Sequence, residues 1–103
     1  MLNNKQKRYL KQQAQSLNAS FQIGKNGLNG AALQQLQAQL NVHELVKVSI
    51  LQNSAALTST VVAAVQDFDP RILLVQTIGR TLVFYKRASK ISNRHLSLEV
   101  DAL

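Results

Sequence analysis

The chain has 103 residues, of which 46% are hydrophobic, and this length suits one compact domain with a buried core. Twelve Lys and Arg residues against five Asp and Glu residues give a formal charge of +7, which favours a polyanionic partner such as nucleic acid. The absence of Cys excludes disulfides and thiolate metal sites, and no apolar stretch suits a membrane span or a signal peptide. A cytoplasmic location is therefore expected.

A first helix is predicted over residues 3–18, because Leu10, Ala14 and Leu17 follow the spacing of one helical stripe. The other side of this helix carries four cations and no carboxylate: Lys5, Lys7, Arg8 and Lys11. Such a face lacks the i,i+4 ion pairs that would offset repulsion between its own charges. Two interpretations stay open, an ordinary solvated face and a phosphate-binding face.

A glycine loop follows the first predicted strand, which alternates apolar and polar residues over 21–23. The loop consists of Gly24, Lys25, Asn26 and Gly27. Two glycines permit a tight turn and close approach of a phosphate, and a helix capped by Asn29 would direct unpaired N–H groups at the same place. The G-x-x-G spacing also occurs in ordinary turns, so by itself it is a weak signal.

Other phosphate-binding motifs do not fit this loop. A Walker A loop requires G-x-x-x-x-G-K-[ST] and a dinucleotide fingerprint requires G-x-G-x-x-G, whereas the glycines here are Gly24, Gly27 and Gly30. Nucleotide hydrolysis is therefore not expected. What remains is a loop of the kind that clamps a nucleic-acid backbone in KH domains.

The remaining elements are predicted from hydrophobic periodicity and turn residues. They are a helix from Asn29, a strand over 44–51, a helix capped by Ser54, and strands over 72–78 and 81–87 that a hairpin joins at Gly79-Arg80. The order α-β-α-β-α-β-β predicts an α/β sandwich with a four-stranded mixed sheet, in which helical crossovers join parallel neighbours. Residues 88–103 show only weak alternation and are expected to be flexible or a loosely attached edge segment.

Aromatic side chains have two interpretations. Core packing is expected for Phe21, Phe68 and Phe84. Tyr9 lies near the basic helical face and Tyr85 precedes Lys86, so stacking on bases and packing in the core both stay open for these two tyrosines.

Catalytic and metal-binding patterns are not found. The two histidines, His43 and His95, are far apart in sequence, and Asp67 and Asp69 adjoin Pro70, where they are expected to serve a turn. We therefore predict a protein that is not an enzyme and that has no cofactor, metal ion or small-molecule substrate.

Four segments occur in a characteristic order along the chain: Lys5-Gln6-Lys7, Gly24-Lys25-Asn26-Gly27-Leu28, His43-Glu44-Leu45-Val46-Lys47-Val48 and Ile78-Gly79-Arg80-Thr81-Leu82-Val83-Phe84-Tyr85. Together they resemble the CRM domain, whose bacterial single-domain form is the YhbY-like family. The resemblance covers residues 3 to about 87, which defines a predicted domain over 1–87 and a tail over 88–103.

This resemblance implies RNA binding, association with precursors of the large ribosomal subunit, and a fold like the C-terminal domain of translation initiation factor 3. Plant relatives assist group II intron splicing, so help with splicing or with folding of non-ribosomal RNA is an alternative, as is a protein-docking module on the ribosome. The implied RNA-binding residues are Gly24, Lys25, Asn26 and Gly27 in the loop, Lys5, Lys7, Arg8 and Lys11 on the helix, and Arg80 and Lys86. A monomer is expected. Ser49 departs from the pattern, because relatives are expected to carry a second basic residue there.

Overall fold

Four helices and four strands occur within residues 2–103, the part of the chain that the computed structural model describes. They are α1 (Asn4–Gln15), β1 (Phe21–Ile23), α2 (Gly30–His43), β2 (Leu45–Ile50), α3 (Thr58–Phe68), β3 (Leu73–Ile78), β4 (Thr81–Tyr85) and α4 (Leu96–Asp101). A 3-10 turn over Ile91–Asn93 precedes α4. The predicted order of elements up to β4 is confirmed, and the predicted mixed four-stranded sheet is present.

The strands lie in the order β1-β2-β4-β3. β1 runs parallel to β2, while β4 is antiparallel to both β2 and β3. The expectation that each helical crossover joins neighbouring strands is therefore wrong for α3, because β4 lies between β2 and β3. The central position suits the sequence of β4, whose Leu82, Val83 and Phe84 are fully buried on both faces of the sheet.

Two hydrophobic layers cover the two faces of the sheet. Alternate residues of β2, Val46, Val48 and Ile50, join the core under α2 and α3. On the opposite face, Leu10 and Ala14 of α1 pack with a second set of buried side chains from the sheet and α4: Leu45, Val75, Val83, Tyr85 and Val100. This arrangement buries one stripe of α1 and leaves its basic side in solvent.

Helix caps agree with the sequence at one of the two predicted places. Asn29 accepts a hydrogen bond from the Ala32 N–H at 2.8 Å, as expected of an N-cap. The cap predicted at Ser54 is wrong, because its hydroxyl accepts from the Ala56 N–H in a turn and α3 begins only at Thr58, without a side-chain cap. At the start of α1, Asn3 and Gln6 form a reciprocal capping box that the helical periodicity did not indicate.

The packing predictions need one correction, at the end of α3. Phe21 and Phe84 lie in the core as expected, but Phe68 is 38% exposed. The apolar stripe of α3 therefore ends one turn earlier than its spacing predicts. Asp69 serves the turn after the helix as expected, since its carboxylate accepts from the Arg71 backbone N–H at 3.1 Å.

The expectation of a flexible tail or edge strand over 88–103 is wrong. The segment contains the 3-10 turn and α4, and its Ala88, Ser97 and Val100 are almost completely buried. Glu44, the C-cap residue directly after α2, holds the segment in place. Its carboxylate accepts hydrogen bonds from three backbone N–H groups, those of Ala88, His95 and Ser97. These partners lie more than forty residues from Glu44 in sequence, so local periodicity could not reveal them.

Candidate nucleic-acid interface

The glycine loop forms a closed turn at the carboxyl end of β1. The Gly27 N–H donates to the Gly24 carbonyl oxygen at 3.0 Å, and Gly27 adopts a left-handed conformation with φ of +68°. Lys25 and Asn26 occupy the tip of the turn and are exposed. The chain then enters α2, whose first N–H groups have no partners within the helix. The turn therefore presents one cation, one amide and a helix N-terminus to solvent.

Arg80 ties the neighbouring loops together at this end of the sheet. Its guanidinium donates to the carbonyl oxygens of Ile50, Leu51 and Ser54, at 3.2, 2.9 and 3.0 Å. The Leu51 N–H in turn donates to the Ile23 carbonyl oxygen at 2.8 Å, directly before the glycine loop. Arg80 is exposed, but most of its hydrogen bonding holds the hairpin against the loop after β2, so it also supports the shape of this surface.

The basic side of α1 is exposed and lacks internal ion pairs. Within residues 2–103, the two salt bridges are Arg71 with Asp69 and Arg87 with Asp101. The four cations of α1 belong to neither salt bridge, and all four are exposed: Lys5, Lys7, Arg8 and Lys11. Their positive charge is therefore available to an external anion.

Lys47 links α1 to the sheet. It lies on the face of β2 that α1 covers, and its Nζ donates to the Leu17 carbonyl oxygen at 3.1 Å, just after the helix. The helix and the glycine loop occupy different places, since α1 covers a sheet face and the loop lies at the carboxyl end of β1.

Lys86 does not share the exposed surface implied by the family resemblance. The residue is 2% exposed, and its Nζ donates to the Asn41 side chain, the Arg87 carbonyl oxygen and the Ser89 hydroxyl. It also follows the end of β4 that is farthest from the hairpin and the glycine loop. A basic residue at this position is therefore a link to the C-terminal segment, which the sequence alone could not distinguish from an RNA contact.

The two tyrosines also pack against the protein. Tyr85 is buried, and that burial, with the nearby Glu44 carboxylate, raises the pKa of its hydroxyl to about 12. Tyr9 is half-buried against the core beneath α1. Base stacking on Tyr85 is excluded in this fold, and Tyr9 offers only one partly covered ring.

The two loop glycines are predicted to respond differently to substitution. Gly27→Ala should lower the free energy of unfolding by about 1–2 kcal/mol, because an L-residue is strained at positive φ. Gly24→Ala should change it by less than about 0.5 kcal/mol, because a Cβ there lies 3.9 Å from the Leu51 side chain, an ordinary contact. Urea unfolding of both variants measures this difference, and a larger loss for Gly24→Ala would contradict the assignment.

Comparison with known proteins identifies the family of this chain. The model of the CRS1 / YhbY (CRM) domain matches residues 2–86. The chain belongs to the CRS1/YhbY (CRM) family. It is 41% identical over 98 residues to the "Probable RNA-binding protein YqeI" of Bacillus subtilis, covering 95% of this chain and 99% of that protein. An "RNA-binding protein" of Haemophilus influenzae is 35% identical over 85 residues, covering 82% and 85% of the two chains.

A solved structure of similar sequence has the same fold as this CRM domain. The solution structure of the Staphylococcus aureus protein SAV1595, described as a candidate RNA-binding protein, superposes with a TM-score of 0.70 at 35% identity. The match covers 92% of this chain and 98% of that one, so it is longer than the stretch over residues 2–86 that the family model matches.

The described part of this CRM protein contains neither a cluster suited to a metal ion nor a helix suited to cross a membrane. Between residues 2 and 103, no three or more His, Cys, Asp or Glu side chains group as a metal site would need. None of the helices in that range combines the length and the apolar character that crossing a bilayer would take.

Proposed function

We propose that this CRM protein is a non-enzymatic RNA-binding module that binds RNA backbone and assists assembly of the large ribosomal subunit. The observation that carries the proposal is the exposed basic side of α1, whose four cations belong to no internal ion pair within residues 2–103. Proteins named for RNA binding are its relatives in sequence, which supports the same ligand class.

Each part of the surface has a physical role in this proposal. Gly24 and Gly27 let the backbone of the loop approach a phosphate closely, Lys25 supplies charge, and the first turn of α2 supplies N–H donors. The basic side of α1 widens the contact and contributes much of the affinity. Specificity comes from RNA shape, because few side chains on this surface could reach base edges.

The roles of the carboxylates support a protein without catalytic activity. Of the five Asp and Glu residues, Glu44 accepts buried backbone hydrogen bonds, while Asp69 and Asp101 pair with arginines. Neither these three nor the histidines form an acid–base pair at the glycine loop. RNA incubated with the protein should remain intact and unmodified, and any cleavage or modification would overturn this part of the proposal.

Affinity for RNA should fall steeply with salt concentration. If about five phosphates are neutralised, a plot of the logarithm of the association constant against the logarithm of salt concentration should have a slope of about −3.5 for single-stranded RNA. Fluorescence anisotropy with a labelled RNA between about 50 and 200 mM salt measures the slope. A flat response would contradict binding through the backbone.

The ribosomal role has its own test, because RNA binding alone does not identify the RNA. We propose that the protein acts as a monomer in the cytoplasm. If it acts in assembly, crosslinking in cells followed by sequencing should enrich large-subunit ribosomal RNA. Enrichment of introns or other structured RNA would instead support the splicing or chaperone role. The likeness to the C-terminal domain of translation initiation factor 3 remains a prediction from the family resemblance.

A further inference from the structure

A second basic site lies at the end of the sheet opposite the glycine loop. A cavity of about 480 Å³ opens between the start of β3, the end of β4, the N-terminal part of α1 and the C-terminal segment. Four cations line it: Arg71, Lys86, Arg87 and Arg94. They come from three separate regions of the chain, so no motif in the sequence indicates that they meet.

The three guanidinium groups are held in place but retain unused donors. Arg71 donates from Nε and Nη2 to the Asp69 carboxylate, at 2.9 and 3.1 Å. Arg94 donates from Nε to the Ala88 carbonyl oxygen at 2.9 Å, and Arg87 donates from Nη2 to Asp101. Within residues 2–103, the Nη1 group of each arginine takes part in none of these hydrogen bonds. Anchored guanidinium groups with spare N–H donors are suited to bind a planar or tetrahedral oxyanion.

Charge at the cavity also favours an anion. Asp101 is the single carboxylate among the lining residues, and it pairs with Arg87, while Arg71 pairs with Asp69 outside the lining. The other two lining cations, Lys86 and Arg94, belong to neither of these salt bridges, so the cavity keeps an excess of positive charge. Burial of Lys86, and then the nearby Arg71 charge, lower the pKa of that lysine. Gathering like charges around a partly enclosed space costs free energy, and an oxyanion in that space would offset the cost.

Apolar side chains make up part of the remaining wall, and polar residues such as Gln6 and Ser89 make up the rest. Leu2, Leu73 and Val100 line the cavity beside the cations. Its volume lies in the range of about 300–1,000 Å³ typical of small-molecule sites, where a few polar groups orient a ligand against apolar walls. A phosphate beside the arginines and a ribose and base against the apolar wall would fit this distribution.

We propose that this cavity binds the phosphate of a nucleoside monophosphate, presented either by a free nucleotide or by the phosphorylated end of an RNA. Binding of a phosphorylated RNA end rests on the proposed function, whereas binding of a free nucleotide does not. The site is separate from the glycine loop, because the two lie at opposite ends of the sheet.

Calorimetric titration of the full chain with uridine 5′-monophosphate, and separately with uridine, tests phosphate recognition in the unaltered protein. We expect saturable binding of the monophosphate and at least about tenfold weaker binding of uridine, which is about 1.4 kcal/mol. Equal binding of the two compounds, or no binding of either, would overturn the proposal. NMR titration should place the shifted amides around Ala88 and Arg94, and shifts confined to the glycine loop would also overturn it.

The double variant Arg71→Gln/Arg94→Gln should lose at least about tenfold in affinity for the monophosphate. Lys90→Gln/Ser92→Glu is the matched control, because it also changes the charge by −2 at exposed residues that do not line the cavity, and it should bind normally. Equal losses in both variants would contradict the site. Thermal unfolding checks that the double variant is folded.

RNA oligonucleotides with and without a 5′-phosphate distinguish the two sources of the ligand. Tighter binding of the phosphorylated strand, lost in Arg71→Gln/Arg94→Gln, supports an RNA end. Monophosphate binding with no preference between strands supports a free nucleotide. A substitution of Lys25 that weakens RNA binding should leave monophosphate binding intact. Failure of the proposed function and failure of this site therefore give different results.

Discussion

Replacement of Glu44 by Ala is expected to lower the free energy of unfolding by about 3–5 kcal/mol, because two buried N–H groups and one partly buried N–H group lose their acceptor. Each unsatisfied buried donor costs about 1–3 kcal/mol, and partial entry of water keeps the total below the sum. The loss of stability should appear as release of the C-terminal segment from the end of α2. Urea unfolding followed by circular dichroism measures it.

Two further variants separate the carboxylate from the backbone at this position. Glu44 has φ of +66°, so Glu44→Gly should cost about 1 kcal/mol less than Glu44→Ala, because glycine relieves the left-handed strain while still lacking the acceptor. Glu99→Ala removes an exposed carboxylate of α4 and should cost less than about 0.5 kcal/mol. A cost below about 1 kcal/mol for Glu44→Ala would show that the segment is not held by this residue.

The same carboxylate makes stability sensitive to acid. Burial alone would raise the pKa of Glu44, but hydrogen bonds from Ser97, Ala88 and His95 outweigh burial and hold the pKa below its ordinary value of 4.5. A lowered folded-state pKa means that this stabilisation is present above about pH 4.5 and is lost as the pH falls below it.

Neutralising the basic side of α1 is expected to weaken RNA binding by about 30- to 150-fold. The variant carries Lys5→Gln, Lys7→Gln, Arg8→Gln and Lys11→Gln. If each exposed cation contributes about 0.5–0.7 kcal/mol, the four together contribute about 2–3 kcal/mol. Glutamine has nearly the same helix propensity as lysine and arginine, so α1 should remain folded.

A relocated-charge variant controls for net charge. It combines the four α1 substitutions with lysines on the exposed side of α2, at Gln34, Gln35, Ala38 and Val42, which restores the formal charge of +7. If RNA contacts the cations of α1 themselves, the RNA affinity of this variant should stay low. Recovery of wild-type affinity would show that the overall charge alone attracts RNA and that α1 is not a contact surface.

Local features of the fold could be predicted from sequence because they depend on neighbouring residues. The cap at Asn29, the hairpin at Gly79-Arg80 and the alternation in β2 depend on groups a few residues apart, and the structure has all three. The insertion of β4 between β2 and β3 does not follow from the order of elements, and its one signal in the sequence is the unbroken apolar run of Leu82, Val83 and Phe84, which suits a strand buried on both faces.

The sequence could predict the exposure of a candidate site residue where helical spacing determines it. It could not do so where tertiary contacts determine it. The α1 cations are exposed because Leu10 and Ala14 fix which side is buried. Lys86 and Arg87 are both basic in the sequence, and Arg87 is exposed. Lys86 is buried, because Asn41 and Ser89 lie beside its Nζ in the fold. The role of Glu44 depends on partners that are likewise distant in sequence.

The central claim is that RNA backbone binds the exposed basic surface of this protein, with the glycine loop as its phosphate-binding turn in addition to the cations of α1. The most direct measurement is the RNA affinity of Lys25→Asp/Asn26→Asp against that of Lys90→Asp/Ser92→Asp, two pairs of exposed substitutions that each change the charge by −3. The loop variant should bind at least about tenfold more weakly than the control, with unchanged thermal stability. Equal affinity of the two variants would contradict phosphate binding at this loop.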